Sequence, residues 1–219
     1  KYKKINFKYK YIKKTLLNKY SFLLKNINNF IQINNFIFLH GNKINFISGT
    51  ESHGGRDNAL LQMKKSINNI KNFEKTHNDL TKSTSLLSAY IKFGCVSIRE
   101  VYYNVIKYLG IFKKNPFIRQ LYWRDFYANL LYAYPSILTH SLQPKYNKLK
   151  WNNNKKWFNA WCNGNTGYPI VDASMRQLNK TGYMHNRGRL IVASFLVKIL
   201  LIDWRKGEQY FATKLVDYD

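Results

Sequence analysis

"TGYMHNRGRLIVASFLVKILLIDW", residues 181 to 204, sets a polar head on a long apolar run and closes that run with a tryptophan. The run from Ile191 to Ile202, read alone, is a buried helix. The head, His185, Asn186, Arg187 and Arg189, makes it a site. On a helix Asn186 and Arg189 stand one turn apart, with Arg187 on a neighbouring face. An arginine this close to an apolar helix needs a carboxylate partner, and Asp217 or Asp219 can supply it. Gly188 is unexpected, because glycine inside a helix costs about 1 kcal/mol relative to alanine. Either the helix begins after Gly188 or another element packs closely on its backbone.

Working outward, the text from residue 55 onward reads as helix after helix. Leu60, Met63, Ile67 and Ile70 recur at helical spacing. Ser97 with Glu100 reads as a capping box, and Gly110 as the stop of that helix. Pro116 opens "PFIRQLYWRDFYANLLYAY", which Pro135 ends, and Pro169 opens a helix through "VDASMRQLNK". The fold class is all-α. Residues 1–53 are Lys-, Asn-, Ile- and Phe-rich with mixed periodicity, an irregular basic lead-in with one hairpin candidate at Gly41-Asn42. The domain division expected is therefore 1–53 and 54–219.

The net charge is +25, from 36 Lys and Arg against 11 Asp and Glu. Such a field attracts polyanions, nucleic acid before anionic membrane. Scattered lysines also fit a Lys- and Asn-rich coding bias, which explains the clustered arginines less well. Cys95 and Cys162 are far apart and in no metal-ligand spacing, so neither a disulfide framework nor a metal site is expected. No stretch reaches the ~18 to 20 apolar residues of a membrane span, and no signal peptide is recognisable. The expectation is an intracellular protein of undetermined compartment. Lys1 without a preceding Met is read as the start of a piece of something longer.

Two further stretches carry chemistry. In "FIRQLYWRDFY", Gln120, Trp123, Arg124 and Tyr127 share one helical face, an amide, an indole, a guanidinium and a phenol. Such a face can stack a base for ~1 to 3 kcal/mol and hold a phosphate; the plain alternative is an interfacial helix with its polar tips in water. "STSLLS", residues 83 to 88, puts hydroxyls at a helix start, which suits a phosphate or, more simply, ordinary capping.

The stretch "WCNGNTGYPIVDASMRQLNKTGYMHNRGRLIVASFLVKILLIDWRKGEQYF", residues 161 to 211, resembles the flavin-binding helical domain of the DNA photolyase/cryptochrome family. "GGRDNAL", "TSLLSAYIKFGCVS" and "QLYWRDFY" extend the resemblance in order, from residue 54 to residue 219. The form "MHNR" resembles the branch that repairs cyclobutane pyrimidine dimers. The resemblance implies FAD as cofactor, reduced for repair, and ultraviolet-damaged DNA as partner. It implies that Thr84, Ser85, Leu86, Leu87 and Ser88 hold the pyrophosphate, and that Arg189, Asp217 and Asp219 sit at the flavin edge. Phe73 and Phe117 join the cofactor-binding set. Trp123 is implied to pack on the flipped-out dimer, Gln120 and Asn186 to face flavin and lesion, and Arg124, Tyr127, Arg187 and His77 to meet DNA. Trp151 and Trp204 match the outer and middle members of an electron-carrying tryptophan chain. The head "HNRGR" should look into the flavin–lesion cavity, with the apolar run as its wall.

Several positions depart from the family pattern. Gln120 stands where the dimer-repair branch has Glu, Phe73 and His77 where Tyr and Arg are usual, and Leu86 where Arg or His is common. The stretch after "LVDYD", with an Asn near the flavin and the innermost tryptophan, is not in the sequence, nor is an antenna domain, so no antenna chromophore is expected. The expectation is an impaired photolyase-like fragment. Two alternatives are a non-catalytic basic DNA-binding module and a split gene product completed by a separate chain; a cryptochrome-like light sensor is a fourth reading.

Overall fold

The computed structural model describes residues 54–110 and 115–219. The lead-in 1–53, with its hairpin candidate, lies outside them. The described residues form α1 (Arg56–Lys71), α2 (Phe73–Thr76), α3 (Ser88–Lys92), α4 (Ile98–Leu109), α5 (Pro116–Ala133), α6 (Lys155–Asn163), α7 (Pro169–Thr181), α8 (Asn186–Ser194) and α9 (Trp204–Lys214). Two short 3-10 turns, Pro135–Leu138 and Pro144–Lys148, link α5 to α6. No strand occurs among the described residues.

Local chemistry sets most of the ends. The Ser97 hydroxyl accepts the Glu100 amide at 3.1 Å, and α4 stops at Gly110. Glu100 does more than complete a box: its carboxylate takes both terminal nitrogens of Arg56 at 2.6 Å, tying α4 to α1. Asn115 accepts the Phe117 amide at 2.8 Å beside Pro116 at the start of α5, and its amide donates to the Ile70 carbonyl at 3.0 Å. Asn154 and Asp203 cap α6 and α9 in the same way. At the end of α6 the chain turns through Gly164 at φ 65°, where an added Cβ would lie 2.8 Å from the Asp172 carbonyl oxygen.

Two separate apolar cores result. The first gathers Ala59, Met63 and Ile70 of α1, Leu87, Tyr90 and Val96 near α3, Val101 and Val105 of α4, and Phe117 and Leu121 of α5. The stripe on α1 is Ala59, Met63, Ser66 and Ile70, so two of the four positions expected from the sequence, Leu60 and Ile67, flank it and are only partly buried. The second core forms around Trp161, with Val171, Met175, Leu178, Met184, Val192, Leu196 and Ile202.

The quoted run is not one buried helix. It is α8 to Ser194, a single π turn over Phe195–Ile199, then a break in which Leu201 adopts φ 51°. Trp204 begins the next helix instead of closing this one. Val192, Phe195, Leu196 and Ile202 face the core, while Leu190, Ile199 and Leu201 are exposed. The Gly188 question is answered by close packing: an added Cβ would lie 3.1 Å from both the Ser174 hydroxyl oxygen and Met184 Cγ. Glycine there lets α7 approach the first turn of α8.

Candidate functional site

A cavity of about 400 Å³ opens between residues of α1, α2, α3 and α5 and those around the start of α8 and the C-terminal residues. Its volume falls within the ~300 to 1,000 Å³ of ordinary ligand pockets. One wall is the segment leading into α3. The sequence places hydroxyls there as possible caps, but none caps the helix: the residue before α3 is Leu87, and no side chain accepts its first amides. Leu86 takes a left-handed φ of 53°, a conformation costly for a branched side chain, so the segment is bent against local preference. Thr84, Ser85, Leu86, Leu87 and Ser88 all line the cavity. Thr84 shares a 2.7 Å hydrogen bond with the Tyr183 hydroxyl.

Phe73, Phe117 and His77 form an apolar and aromatic side. Phe73 stacks on His77 at 5.0 Å and meets Phe117 edge-on at 5.5 Å. The opposite wall holds the polar head of α8. Asn186 and Arg187 line it, and Arg187 donates from Nε to Asn78 Oδ1 at 2.9 Å. Arg189 takes Asp217, not Asp219, as its carboxylate: Nη2 reaches the two oxygens at 3.0 and 2.9 Å, and Nε donates to the Met184 carbonyl at 2.9 Å. Asp219 instead pairs with Arg124 at 2.7 Å and Lys92 at 3.1 Å.

The four-residue face on α5 is divided. Gln120 and Arg124 line the cavity, whereas Trp123 and Tyr127 do not. These two rings stack on each other at 5.8 Å, 45% and 60% exposed, on the open surface of α5. Trp151 and Trp204 are half-buried and away from the cavity. Their chain segments are tied together, with Asn152 N–H donating to the Leu201 carbonyl at 2.8 Å and Asp203 N–H to Asn153 Oδ1 at 3.2 Å. The apolar run does not wall the cavity, contrary to the sequence reading; Ile191, Val192, Phe195, Leu196, Leu200 and Ile202 go to the second core instead.

Comparison with known proteins decides the family. The profile described as the FAD binding domain of DNA photolyase matches residues 117–219. The deoxyribodipyrimidine photo-lyase of Buchnera aphidicola subsp. Baizongia pistaciae is 49% identical over 156 residues, 69% of this chain and 32% of the relative. An archaeal photolyase from Sulfolobus tokodaii, solved with two FAD molecules, superposes with a TM-score of 0.69 at 44% identity, covering 78% of this chain and 37% of that one. A cryptochrome from Synechocystis sp. PCC6803 gives 0.72 at 35% identity, over 77% and 37%. The chain belongs to the DNA photolyase family. Its helices are those of the family's FAD-binding domain, and it spans about a third of the length of the relatives it matches.

Around this cavity, sequence reasoning passed over Asn78, Tyr183 and the capping role of His185. Tyr183 lies over the Arg189 guanidinium at 5.6 Å, and burial raises its phenol pKa although Thr84 and Arg189 pull the other way. His185 is buried at the start of α8, where Nδ1 accepts the Arg187 amide at 3.1 Å. That bond requires an unprotonated Nδ1. Burial first, and the charges of Arg187 and Arg189 next, hold the imidazole below its usual 6.5, with the Asp79 carboxylate opposing. The unfolded chain therefore binds a proton that the folded chain refuses, and stability falls as pH drops below about 6.5 until the folded imidazole also titrates. Urea midpoints measured from pH 7.5 down to pH 5 should show this loss, and His185→Asn, which keeps a capping acceptor, should flatten it. Parallel profiles for the two proteins would remove the effect from His185.

Among the described residues, no cluster of His, Cys, Asp and Glu has the makings of a metal site. No described helix is long and apolar enough to cross a membrane.

Proposed function

We propose that this chain holds FAD in the cavity and serves light-driven repair of cyclobutane pyrimidine dimers in DNA. The observation that carries this reading is one cavity joining the uncapped α3 entry, its hydroxyls and the Arg189–Asp217 pair, in a chain that matches the photolyase FAD-binding domain. The donor set fits the group. A pyrophosphate needs O–H, N–H and cationic donors, and Thr84, Ser85, Ser88 and the first amides of α3 are offered beside Arg187 and Arg189. Phe73, Leu87 and Phe117 supply apolar contact for a flat ring system. In its reduced form, bound FAD supplies the light-excited electron that opens the dimer.

The protein's part is to bind, orient and exclude water. Asp217 fixes the Arg189 guanidinium in one plane at the cavity wall, so the cation meets a ligand without reorganisation. Asn186 and Gln120 present neutral amides, each able to donate and accept but not to transfer a proton. Trp123 offers an exposed indole for an extruded base, a step that costs a few kcal/mol and less for a poorly stacked lesion. Tyr127 widens that platform, and Arg187, Arg124 and His77 are the DNA-facing polar groups. Arg124 would have to leave Asp219 to take a phosphate, so DNA contact and the Asp219 pair compete. Trp204 and Trp151 serve as electron carriers on the tied segments around Leu201 and Asn152.

The test is an absorption spectrum of the purified chain after reconstitution with FAD, before and after heat release of flavin. A stoichiometric flavin band is the expected result. A folded protein that stays colourless under every reconstitution condition would sink the cofactor reading, and steeply salt-dependent binding to undamaged DNA would then favour a plain basic DNA-binding module.

A further inference from the structure

The cavity lies on the seam between the two apolar cores. Its lining comes from α1, α2, α3 and α5 with the segment between α2 and α3 on one side, and from Tyr183 to Arg187, Arg189, Asp217 and Asp219 on the other. Helix packing is concentrated within each set: α1 with α2 and α4, α5 with α2 and α4, and then α7 with α6 and α8, and α9 with the π turn. The hydrogen bonds and ion pairs crossing the seam are polar and follow the cavity. Thr84 meets Tyr183 at 2.7 Å, Asn78 accepts from Arg187 Nε at 2.9 Å, and Asp219 reaches Lys92 and Arg124.

We propose that Tyr183 and Asn78 are positioning residues that latch the second core onto the first across an occupied cavity. The physical argument starts from the unequal strength of the two kinds of contact. Each core is held by many dispersion contacts and unfolds as a unit. The seam is held by a few polar contacts whose partners are well hydrated when apart, so each adds little net stability. Opening at the seam therefore costs less than opening either core. A ligand that touches both walls favours the closed form by its differential affinity, and by linkage the latches strengthen the ligand's binding to the same degree.

Tyr183 is suited to this role because it is attached at both ends. Its hydroxyl holds Thr84 of the α3 entry, and its ring lies on Arg189, itself pinned by Asp217. Asn78 uses one oxygen to take two donors of Arg187, the second contact being from Nη2. Both bonds link residues about a hundred positions apart and cross from one cavity wall to the other.

The test is hydrogen exchange by mass spectrometry on the whole chain, compared with Tyr183→Phe, Asn78→Ala and the double variant. Thr84→Val is read against Thr84→Ser, which keeps the hydroxyl. Without ligand, amides of residues 76–88 and 181–190 should exchange roughly fivefold faster for each bond removed, the Boltzmann equivalent of one net hydrogen bond. Amides in α4 and α7, inside the cores, should be unchanged, and Thr84→Ser should behave as the parent. A merely structural role would speed α4 or α7 as well, and that result, or an unaltered seam in the double variant, overturns the proposal. The second arm rests on the reading that FAD occupies the cavity: added FAD should slow both seam segments together, and bind less tightly to the double variant. If FAD fails to bind the parent chain, the cofactor reading fails while the unliganded arm still decides the latches.

Discussion

Arg189→Ala is expected to destabilise the protein by about 3 to 5 kcal/mol, the usual consequence of stripping the partner from a buried charge. The Asp217 carboxylate is only 3% exposed, and Arg189 Nη2 contacts both of its oxygens. Truncation also leaves the Met184 carbonyl without the Arg189 Nε donor and removes the cation under the Tyr183 ring. The loss is large because the carboxylate stays behind in a site that water reaches poorly, not because the ion pair itself is strongly stabilising. The double variant Arg189→Ala/Asp217→Ala should accordingly recover part of the loss. Urea unfolding of the three proteins checks this; a cost under about 1 kcal/mol for Arg189→Ala would mean that Asp217 finds water readily. Flavin retention should fall in both variants, since a wall of the cavity is altered in each.

The second large effect is Trp161→Ala, also expected at about 3 to 5 kcal/mol. Trp161 is 0% exposed and sits at the centre of the second core. Its ring lies 5.7 Å from those of Tyr210 and Phe211 and 6.0 Å from Phe158, and its Nε1 donates to the Val192 carbonyl at 2.9 Å. Alanine leaves a cavity bounded by three helices, α6, α8 and α9, that cannot collapse independently. It also strips the indole donor from the Val192 carbonyl, which keeps the Phe195 amide, so the lost hydrogen bond itself adds only about 0.5 to 1.5 kcal/mol. Trp161→Phe keeps most of the volume and loses the donor, so it should fall between parent and alanine variant. Chemical denaturation measures the series, and equal stabilities for Phe and Ala would show that the hydrogen bond, not the packing, is what matters.

Both predictions concern residues whose importance the sequence discloses unevenly. Arg189 stood out in "HNRGR" because an arginine next to an apolar run demands a partner, but Asp217 and Asp219 were equivalent candidates. Only the folded chain separates them, seating Asp217 beside Arg189 and turning Asp219 toward Lys92 and Arg124. Trp161 was one of five tryptophans, and nothing in its neighbours marks it as the one at the core centre.

Features that depend on near neighbours are legible in the amino-acid order alone. Ser97, Pro116 and Pro169 mark helix starts because a cap or a fixed φ acts within one turn, and the all-α class follows from those ends and the 3.6-residue period. The extended resemblance to the photolyase FAD-binding domain was also legible, since it is carried by residue order alone. Tertiary structure decided what depends on partners far along the chain. The π turn at Phe195–Ile199 interrupts a run whose composition looks uniformly helical, with the adjacent Phe195 and Leu196 both in the core and the adjacent Lys198 and Ile199 both in water. Gly188 needs no side chain because Ser174 and Met184 occupy the space. Tyr183 and Asn78 enter the cavity through bonds to Thr84 and Arg187, about a hundred residues away, and no local pattern encodes a contact of that separation.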